Sequence, residues 1–319
     1  MALFRALNFL AAAACALVMI FCLGGALSHR LDALAHFMPF YGLAAASVLT
    51  MRLVIGPGTE RPTLWLAMGA LAVSATIMAP DLLAAAWPER TAPGRQTVKV
   101  IQFNVWSHNT APKLTADWII AQQPDVVVME EAIEDGWPVS QSLRAAFPYQ
   151  APCPAALECT TLIFSKVPPT ASGALESPDS FGRHSTAWAR FGEGRNAYSV
   201  VGVHNLWPIP GGAQQTHMRS VAAGLPKLDS TSLILAGDFN ATPWSFSLAR
   251  LESLFAVTRR THAKFSWPVK PYTRFHLDVP IALMPIDHVF AGSSWRTLSV
   301  RAGPPMGSDH LPMVVVLTR

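Results

Sequence analysis

Residues Val98–Val105 read VKVIQFNV, and residues Asp125–Met129 read DVVVM. Both runs are rich in β-branched side chains and predict strands buried on both faces. Between them, Ala116–Gln123 has helical character and ends before Pro124. This order of strand, helix and strand predicts an α/β domain whose sheets are covered by helices.

Five further apolar runs extend this pattern to the end of the chain. We predict strands at Thr161–Phe164, Tyr198–His204, Leu233–Ala236, Asp287–Phe290 and Met313–Leu317. We expect them to form sheets packed between helices, with mixed or antiparallel pairing.

The first 87 residues have a different composition. The chain is 51% hydrophobic and 14% charged, which is too apolar for a soluble enzyme of 319 residues. Three segments are long and apolar enough to span a bilayer, namely Phe9–Leu27, Leu34–Met51 and Leu64–Leu83. A cleavable signal peptide is the alternative for the first, because Ala26 and Ser28 have the spacing of a cleavage site. The two later segments favour a membrane anchor.

Basic residues predict the orientation of this anchor. Arg5 precedes the first span and Arg52 and Arg61 lie in the second loop, against Arg30 in the first loop. Positive residues favour the cytoplasmic side, so three spans would place the rest of the chain in the periplasm or outside the cell. We therefore predict a multi-pass protein of the inner (plasma) membrane. Residues 1–87 form the anchor, 88–96 a polar linker, and 97–319 the catalytic domain.

Two of the four cysteines, Cys153 and Cys159, form a close pair in the predicted globular domain. An oxidising compartment would allow a disulfide between them, whereas two unrelated reduced thiols are the alternative.

Polar residues follow the ends of the predicted strands. They are Asn104, Glu131, His204, Asp238, Asn240, Asp287, Asp309 and His310. Each type is common singly as a turn or capping residue. Together they predict one cluster of acids, amides and imidazoles, which is what a divalent metal and a phosphate ester require.

Four motifs resemble the endonuclease/exonuclease/phosphatase superfamily, whose members share a deoxyribonuclease I-like fold. They are QFNV around Asn104, PDVVVME ending at Glu131, GDFN at Gly237–Asn240 and SDH at Ser308–His310. The resemblance spans about Val98–Leu317, with the motifs in the family's order. It implies a four-layer α/β (α+β) sandwich, with two mixed β-sheets flanked by helices. Here that sandwich would be preceded by the three transmembrane helices.

The resemblance also implies a metal site. Glu131 would be the main ligand of Mg²⁺ or Mn²⁺, helped by Asn104 and Asp309, because hard cations prefer oxygen donors. Glu130 is adjacent to Glu131, and strand alternation alone cannot choose between the two. The resemblance chooses Glu131, since the family commonly has glutamine at the position of Glu130.

The remaining motif residues would act on the phosphate. The resemblance implies that Asp238 orients or deprotonates water and that Asn240 donates a hydrogen bond to a phosphoryl oxygen. His310, fixed by Asp287, would bind or protonate the phosphate, and His204 would supply a second imidazole.

Other features leave alternatives open. The sequences ATPWS after GDFN and PIDHVF around Asp287 look more like a membrane-attached bacterial branch than the repair nucleases. Four tryptophans could line a pocket, stack on bases or belong to the core: Trp106, Trp207, Trp244 and Trp267. The basic stretch Arg259–Lys264 could contact phosphates or form a solvated loop.

The leading functional prediction is a metal-dependent phosphoesterase that cleaves phosphodiester bonds in a nuclease-like manner. A lipid phosphodiesterase or phosphatase is the alternative, and a catalytically inactive tethered binding module is the competing class. A transporter is disfavoured because the spans lack charged pairs. The net charge of +4 is too small to require nucleic acid. The expected partners are a phosphate-ester substrate, which is a nucleic acid or a lipid headgroup, and the bilayer. No obligate protein partner is implied.

Overall fold

The computed structural model of the chain describes residues 1–55, 61–88, 91–133, 137–151, 159–178, 184–269 and 281–319. They fall into two compact units. The first unit contains Met1–Trp87, Pro208–Gly212 and Thr242–Ala249. The second contains Pro88–Trp207, Ala213–Ala241 and Arg250–Arg319.

Helices occur in the N-terminal and central parts of the described chain. They are α1 Ala2–Gly24, α2 His29–Ala35, α3 Met38–Ile55, α4 Arg61–Ala86, α5 Pro112–Ala121, α6 Trp137–Leu143, α7 Ala213–Gly224 and α8 Phe246–Phe255. The strands are β1 Thr97–Asn104, β2 Val126–Glu130, β3 Tyr149–Gln150, β4 Leu162–Ser165, β5 Ala171–Pro178, β6 His184–Phe191, β7 Tyr198–His204, β8 Leu233–Asp238, β9 Thr258–Arg259, β10 Asp287–Ala291, β11 Arg296–Ala302 and β12 Met313–Thr318.

The N-terminal helices of the first unit provide two or three candidate membrane spans. Helices α1 and α4 are long and apolar enough to cross a bilayer. Helices α2 and α3 count as a third span only if they are taken together, because the chain bends by 58° between them. The predicted span Leu34–Met51 therefore contains a break near His36. Buried side-chain bonds join these helices: Asn8 Nδ2 donates to Val48 O at 3.2 Å, and Ser74 Oγ donates to Met38 O at 3.3 Å.

The second unit contains two six-stranded sheets. The first has the order β11-β12-β1-β2-β4-β3 and the second the order β5-β6-β7-β8-β10-β9. One central pair in each sheet is parallel, β1 with β2 and β7 with β8, and the other neighbours are antiparallel. Both sheets are therefore mixed, and the predicted fold class is confirmed.

Alternating side chains form the layers of the sandwich. On β1, Val98 and Val100 join a core cluster with residues of both sheets, including Ile234 and Val289. Ile101 and Phe103, at the intervening positions, pack with residues of α5 and α6. The sheets therefore face each other, and helices cover the opposite face of the first sheet.

Two glycines, Gly202 and Gly237, allow neighbouring strands to approach each other closely. A Cβ atom at Gly202 would lie 2.7 Å from Val128 Cγ1, across the space between the sheets. A Cβ atom at Gly237 would lie 1.8 Å from Val203 O on the neighbouring strand. A side chain at Gly202 would push β7 away from β2 in the other sheet, and a side chain at Gly237 would push β7 and β8 apart, the strands that carry His204 and Asp238.

Candidate active site

The space between the sheets becomes polar at one end. The apolar inner positions of β1, Val98 and Val100, are followed on the same face by Gln102 and Asn104. Neighbouring strands do the same, and their inner faces end with Glu130, His204 and Asp238 and, on β10, begin with Asp287. Strand pairing brings these positions together, because Asn104 is opposite Glu130, His204 is opposite Asp238, and Asp238 is opposite Asp287.

Glu131 lies just beyond the end of β2, in the left-handed region with φ of +52°. Alternation along a strand therefore does not set its direction. Its Oε1 accepts a hydrogen bond from Asn104 Nδ2 at 3.0 Å, and its Oε2 accepts one from Ser107 N at 3.1 Å. Burial alone would raise its pKa, but the nearby His204 and these donors lower it. Glu131 is therefore held as a carboxylate.

Glu130 has a different environment, although it is the adjacent residue. It is the last residue of β2, is fully buried on the inner face, and its Oε2 accepts a hydrogen bond from Gln102 Nε2 at 2.9 Å. Burial, followed by the charge of Asp287, raises its pKa well above the ordinary value. Glu130 is therefore a neutral acid, similar in shape and charge to a glutamine.

Asp238 is buried and held by two donors. Asn104 Nδ2 donates to its Oδ2 at 3.1 Å, and Asn240 N donates to its Oδ1 at 2.8 Å. Burial and the neighbouring Asp287 raise the pKa of Asp238 to about 6. A carboxylate with this pKa can accept a proton near neutral pH.

Asn240 adopts a left-handed conformation with φ of +48°. Its Nδ2 donates to Asn205 O at 2.9 Å, and its own carbonyl accepts from Gln214 Nε2 at 2.7 Å. Asn205 Oδ1 in turn lies 2.8 Å from His217 Nδ1. This network fixes the turn after β8 and connects it to the end of β7.

His310 and Asp287 form a buried pair. His310 Nδ1 lies 2.7 Å from Asp287 Oδ2, and Gln102 Nε2 donates to the other oxygen of Asp287 at 2.8 Å. Burial alone would lower the pKa of His310, but the charges of Asp287, Asp309 and Asp238 raise it well above the ordinary value. The charge and the hydrogen bond of His310 in turn hold the pKa of Asp287 below its ordinary value, although burial alone would raise it. His310 is therefore an imidazolium, whose Nε2 lies 3.7 Å from Asp238 Oδ2.

Asp309 has one oxygen bound and one unbound. Its Oδ2 accepts a hydrogen bond from Trp267 Nε1 at 3.1 Å. Its Oδ1 is buried without a hydrogen-bond partner and lies 3.9 Å from His310 Nε2. Burial and the charge of Glu131 raise its pKa. Such an oxygen beside a second carboxylate fits a cation ligand, because a cation would satisfy the oxygen and remove the repulsion.

His204 lies between these groups. Its Nε2 is 3.9 Å from Glu131 Oε1 and 3.8 Å from Asp238 Oδ2, and its Nδ1 is buried without a hydrogen-bond partner. The structure thus brings all eight sequence-predicted residues to one end of the sandwich.

The sequence analysis missed several residues that position this site. Gln102 bridges Glu130 and Asp287, and Ser308 Oγ donates to Asn104 O at 2.7 Å while accepting from His310 N at 3.0 Å. Gln102 lies two residues before Asn104 and therefore on the same strand face. This two-residue spacing from Asn104 could have predicted that Gln102 lies in the site. Gln214 and His217 carried no signal of this kind.

Other sequence alternatives are decided by burial. Trp244 is only 3% exposed and belongs to the core, whereas Trp207 is 62% exposed and packs edge-on against Trp267. In the basic stretch, Arg259 is buried and Arg260 donates to three backbone carbonyls, so neither forms a solvated loop or an open phosphate-binding surface. Cys159 is buried and disulfide-bonded, but Cys153 lies outside the described residues, so their pairing stays a prediction.

Residues 101–310 match the Endonuclease/Exonuclease/phosphatase family. The chain belongs to this family. The matched range includes all eight predicted site residues. The comparison with curated proteins gives no match.

Three solved structures illustrate the range of proteins that share this fold. Sphingomyelinase C from Streptomyces griseocarneus is 17% identical, with a TM-score of 0.51, over 70% of this chain and all of that one. Beta toxin from Staphylococcus aureus with bound magnesium ions is 14% identical, with the same coverage and TM-score. TDP2 from D. rerio with a single-strand DNA product is 15% identical, with a TM-score of 0.52 and the same coverage. At these identities the likeness shows the fold alone.

Within this family fold, a second set of groups could also hold a metal ion. Ligand atoms of Asp238, Asp287 and His310 lie within 4.8 Å of one another. Within this set, His310 Nδ1 lies 2.7 Å from Asp287 Oδ2. Asp309 Oδ1, which has no hydrogen-bond partner, is a further carboxylate oxygen at this end of the sandwich.

Proposed function

We propose that this chain is a divalent-metal-dependent phosphodiesterase of the membrane-attached bacterial branch, tethered by its N-terminal helices. The carrying observation is the opposed charge at one end of the sandwich. The ionised Glu131 and the unsatisfied Asp309 form a cation site, and the imidazolium of His310 is held nearby by Asp287. A phosphodiester needs a cation and a positively charged donor on its oxygens and a base for water.

Glu131 and Asp309 would hold Mg²⁺ or Mn²⁺, with Asn104 orienting Glu131 through its Nδ2. Asn104 Oδ1 accepts from Trp106 N at 3.0 Å and retains one lone pair for the ion. The bound ion would neutralise phosphate charge and polarise the ester.

The protein's own residues account for proton transfer. Asp238, whose pKa is about 6, would accept a proton from the attacking water as the new P–O bond forms and the ester P–O bond breaks. His310 Nε2, facing Asp238, would donate to a phosphoryl oxygen as negative charge grows there. Asn240 would use its second Nδ2 hydrogen, and His204 its Nε2, on the remaining oxygens.

The substrate that we propose first is a nucleic acid phosphodiester. A phosphodiester of a lipid headgroup is the second candidate, supported by the candidate membrane spans and by the exposed Trp207 beside Trp267. Solved structures of the same fold include a sphingomyelinase and a protein bound to a DNA product.

The test uses the full chain purified in detergent. The substrates are a DNA duplex, an RNA oligonucleotide, sphingomyelin vesicles, phosphoinositide vesicles and bis-nitrophenyl phosphate, each with Mg²⁺ and with a chelator. We expect Mg²⁺-dependent release of nitrophenol, abolished by the chelator, and turnover of one physiological class well above the others. The variant Asp309→Ala is the matched inactive control.

Two results would count against the proposal. Calorimetric Mn²⁺ binding without hydrolysis of any substrate would favour the inactive binding module. Hydrolysis that persists in the chelator would remove the metal from the mechanism.

A further inference from the structure

The segment Thr242–Ala249 directly follows Asn240 and Ala241 in sequence, yet it belongs to the same compact unit as the N-terminal helices. It contains the residues TPWS (Thr242–Ser245) and the start of α8. Two residues from the region of α2, Asp32 and His36, accept hydrogen bonds from this segment.

Asp32 supplies the cap of α8. Its Oδ1 accepts a hydrogen bond from Phe246 N at 2.8 Å and its Oδ2 accepts one from Ser247 N at 2.6 Å. The first N–H groups of a helix need an acceptor, which is usually a local Ser, Thr, Asp or Asn side chain. Here the local candidate, Ser245, directs its Oγ to Thr242 O at 2.8 Å instead. A buried carboxylate 214 residues earlier in the chain replaces it.

His36 holds the other end of the segment. Its Nδ1 accepts a hydrogen bond from Thr242 N at 3.1 Å, and its backbone carbonyl accepts one from Trp244 Nε1 at 3.0 Å. Both His36 and Trp244 are almost fully buried. Four donors between Thr242 and Ser247 therefore have acceptors in Asp32 and His36.

The residues just before this segment are the ones that the proposed mechanism uses. Asn240 is left-handed, and its N–H orients Asp238 through a 2.8 Å hydrogen bond. Asn tolerates this conformation better than other non-glycine residues, but the left-handed turn holds its N–H toward Asp238 only while the chain on both sides keeps its path. On the N-terminal side β8 fixes it. On the C-terminal side Ala241 O lies 2.9 Å from His288 Nε2, and the chain then enters the segment held by His36 and Asp32.

We propose that Asp32 and His36 are positioning residues for the Asp238–Asn240 turn, so that the N-terminal helices are part of the catalytic framework and not only a tether. The consequence for kcat rests on the proposed phosphodiesterase function. The consequence for the order of the turn does not. A fragment that begins near Gln96 lacks both acceptors, and we expect its turn to be less ordered than that of the full chain.

The experiment compares Asp32→Ala and Asp32→Asn with the parent full chain in detergent. Asn keeps one acceptor oxygen and should give an intermediate result. Ser74→Ala is the matched control, because it removes side-chain bonds to Met38 O and Met78 Sδ within the same helices and has no described contact with Thr242–Ala249. The readouts are amide exchange of peptides covering Phe239–Ser247, Mn²⁺ binding by calorimetry, and kcat and KM on bis-nitrophenyl phosphate.

The proposal expects faster exchange in Asp32→Ala, extending from Phe246 and Ser247 back to Asn240, with Mn²⁺ binding unchanged. It also expects kcat to fall tenfold or more while KM changes little, with Asp32→Asn between this variant and the parent. Faster exchange confined to Phe246 and Ser247, or an equal effect in Ser74→Ala, would overturn it. If the parent itself hydrolyses nothing, the proposed function fails, and the extent of the exchange still decides the positioning role.

Discussion

Exchanging Glu131 for glutamine tests the metal site directly, because the substitution removes a charge and almost no volume. In the parent, both carboxylate oxygens accept hydrogen bonds, from Asn104 Nδ2 and Ser107 N. Glutamine has one oxygen and would lose one of these bonds, which costs about 1 kcal/mol of stability. Loss of the charge that the ion requires should lower kcat by about two to three orders of magnitude, or about 2.7–4 kcal/mol.

Glu130→Gln is the matched control for the adjacent carboxylate. Because burial keeps Glu130 neutral, glutamine preserves its charge, and its carbonyl can still accept from Gln102 Nε2. We expect activity within roughly threefold of the parent, which is about 0.6 kcal/mol. The folded state binds the Glu130 proton more tightly than the unfolded state does. In the parent, the protonated Glu130 therefore contributes stability that is fully present below pH 4.5, the ordinary pKa of a glutamate. This contribution is lost as the pH rises.

The assay combines Mn²⁺ calorimetry, turnover and thermal unfolding of both variants beside the parent. Glu131→Gln should lose Mn²⁺ binding, and Glu130→Gln should keep it. In chelator, Glu130→Gln should gain stability relative to the parent as the pH rises from 4 to 7. Loss of Mn²⁺ binding in the Glu130 variant, with binding kept in the Glu131 variant, would refute the assignment.

Further predictions concern the base, the Asp309–His310 pair, and the orientation and disulfide that the sequence predicts. Because Asp238 has a pKa of about 6, log kcat/KM should fall with unit slope below that pH, and a flat profile down to pH 5 would exclude Asp238 as the base. Asp309→Ala and His310→Ala should each lower turnover by orders of magnitude. His310→Ala should also destabilise the fold by about 3–5 kcal/mol, since it leaves Asp287 buried and unpaired, whereas Asp309→Ala should cost no more than about 1–2 kcal/mol. Alkaline phosphatase fused after Arg319 should be active and a green fluorescent fusion dim, and non-reducing peptide mapping should recover Cys153 joined to Cys159. The reverse reporter pattern would contradict the periplasmic orientation.

The sequence predicted most of the central strands, and β4, but missed the edge strands and the interior strand β6. β1, β2, β7, β8, β10 and β12 were predicted within one or two residues, because these strands are continuous apolar runs. The missed strands include β11, whose sequence RTLSVRA is polar and mostly exposed or half-buried, and β5, whose sequence ASGALESP contains glycine and proline. Strands of this kind form because a neighbour offers hydrogen bonds, and no local pattern reports that.

In the site, too, the sequence predicted what depends on local motifs and not what depends on contacts between distant residues. Motifs identified the residues that converge, but the directions of Glu130 and Glu131 depend on where β2 ends. Alternation would place Glu131 on the outer face. The left-handed backbone at Glu131 turns it to Asn104 and Ser107 instead. The roles of Asp32 and His36 could not be predicted, because their partners lie more than 200 residues away in sequence.

The balance of charge at this end of the sandwich leads to a last prediction. Five carboxyl groups converge there, from Glu130, Glu131, Asp238, Asp287 and Asp309, and His310, whose pKa is raised, lies beside them. The raised pKa values of Glu130, Asp238 and Asp309 mean that these carboxyl groups bind protons more readily than free ones do. A divalent cation would compete with those protons, since metal ligands must be ionised. Mg²⁺ should therefore raise the unfolding temperature of the full chain more at pH 7 than at pH 5, and the difference should vanish in Glu131→Gln. A stabilisation by Mg²⁺ that is equal at the two pH values would show that the ion binds away from these carboxylates.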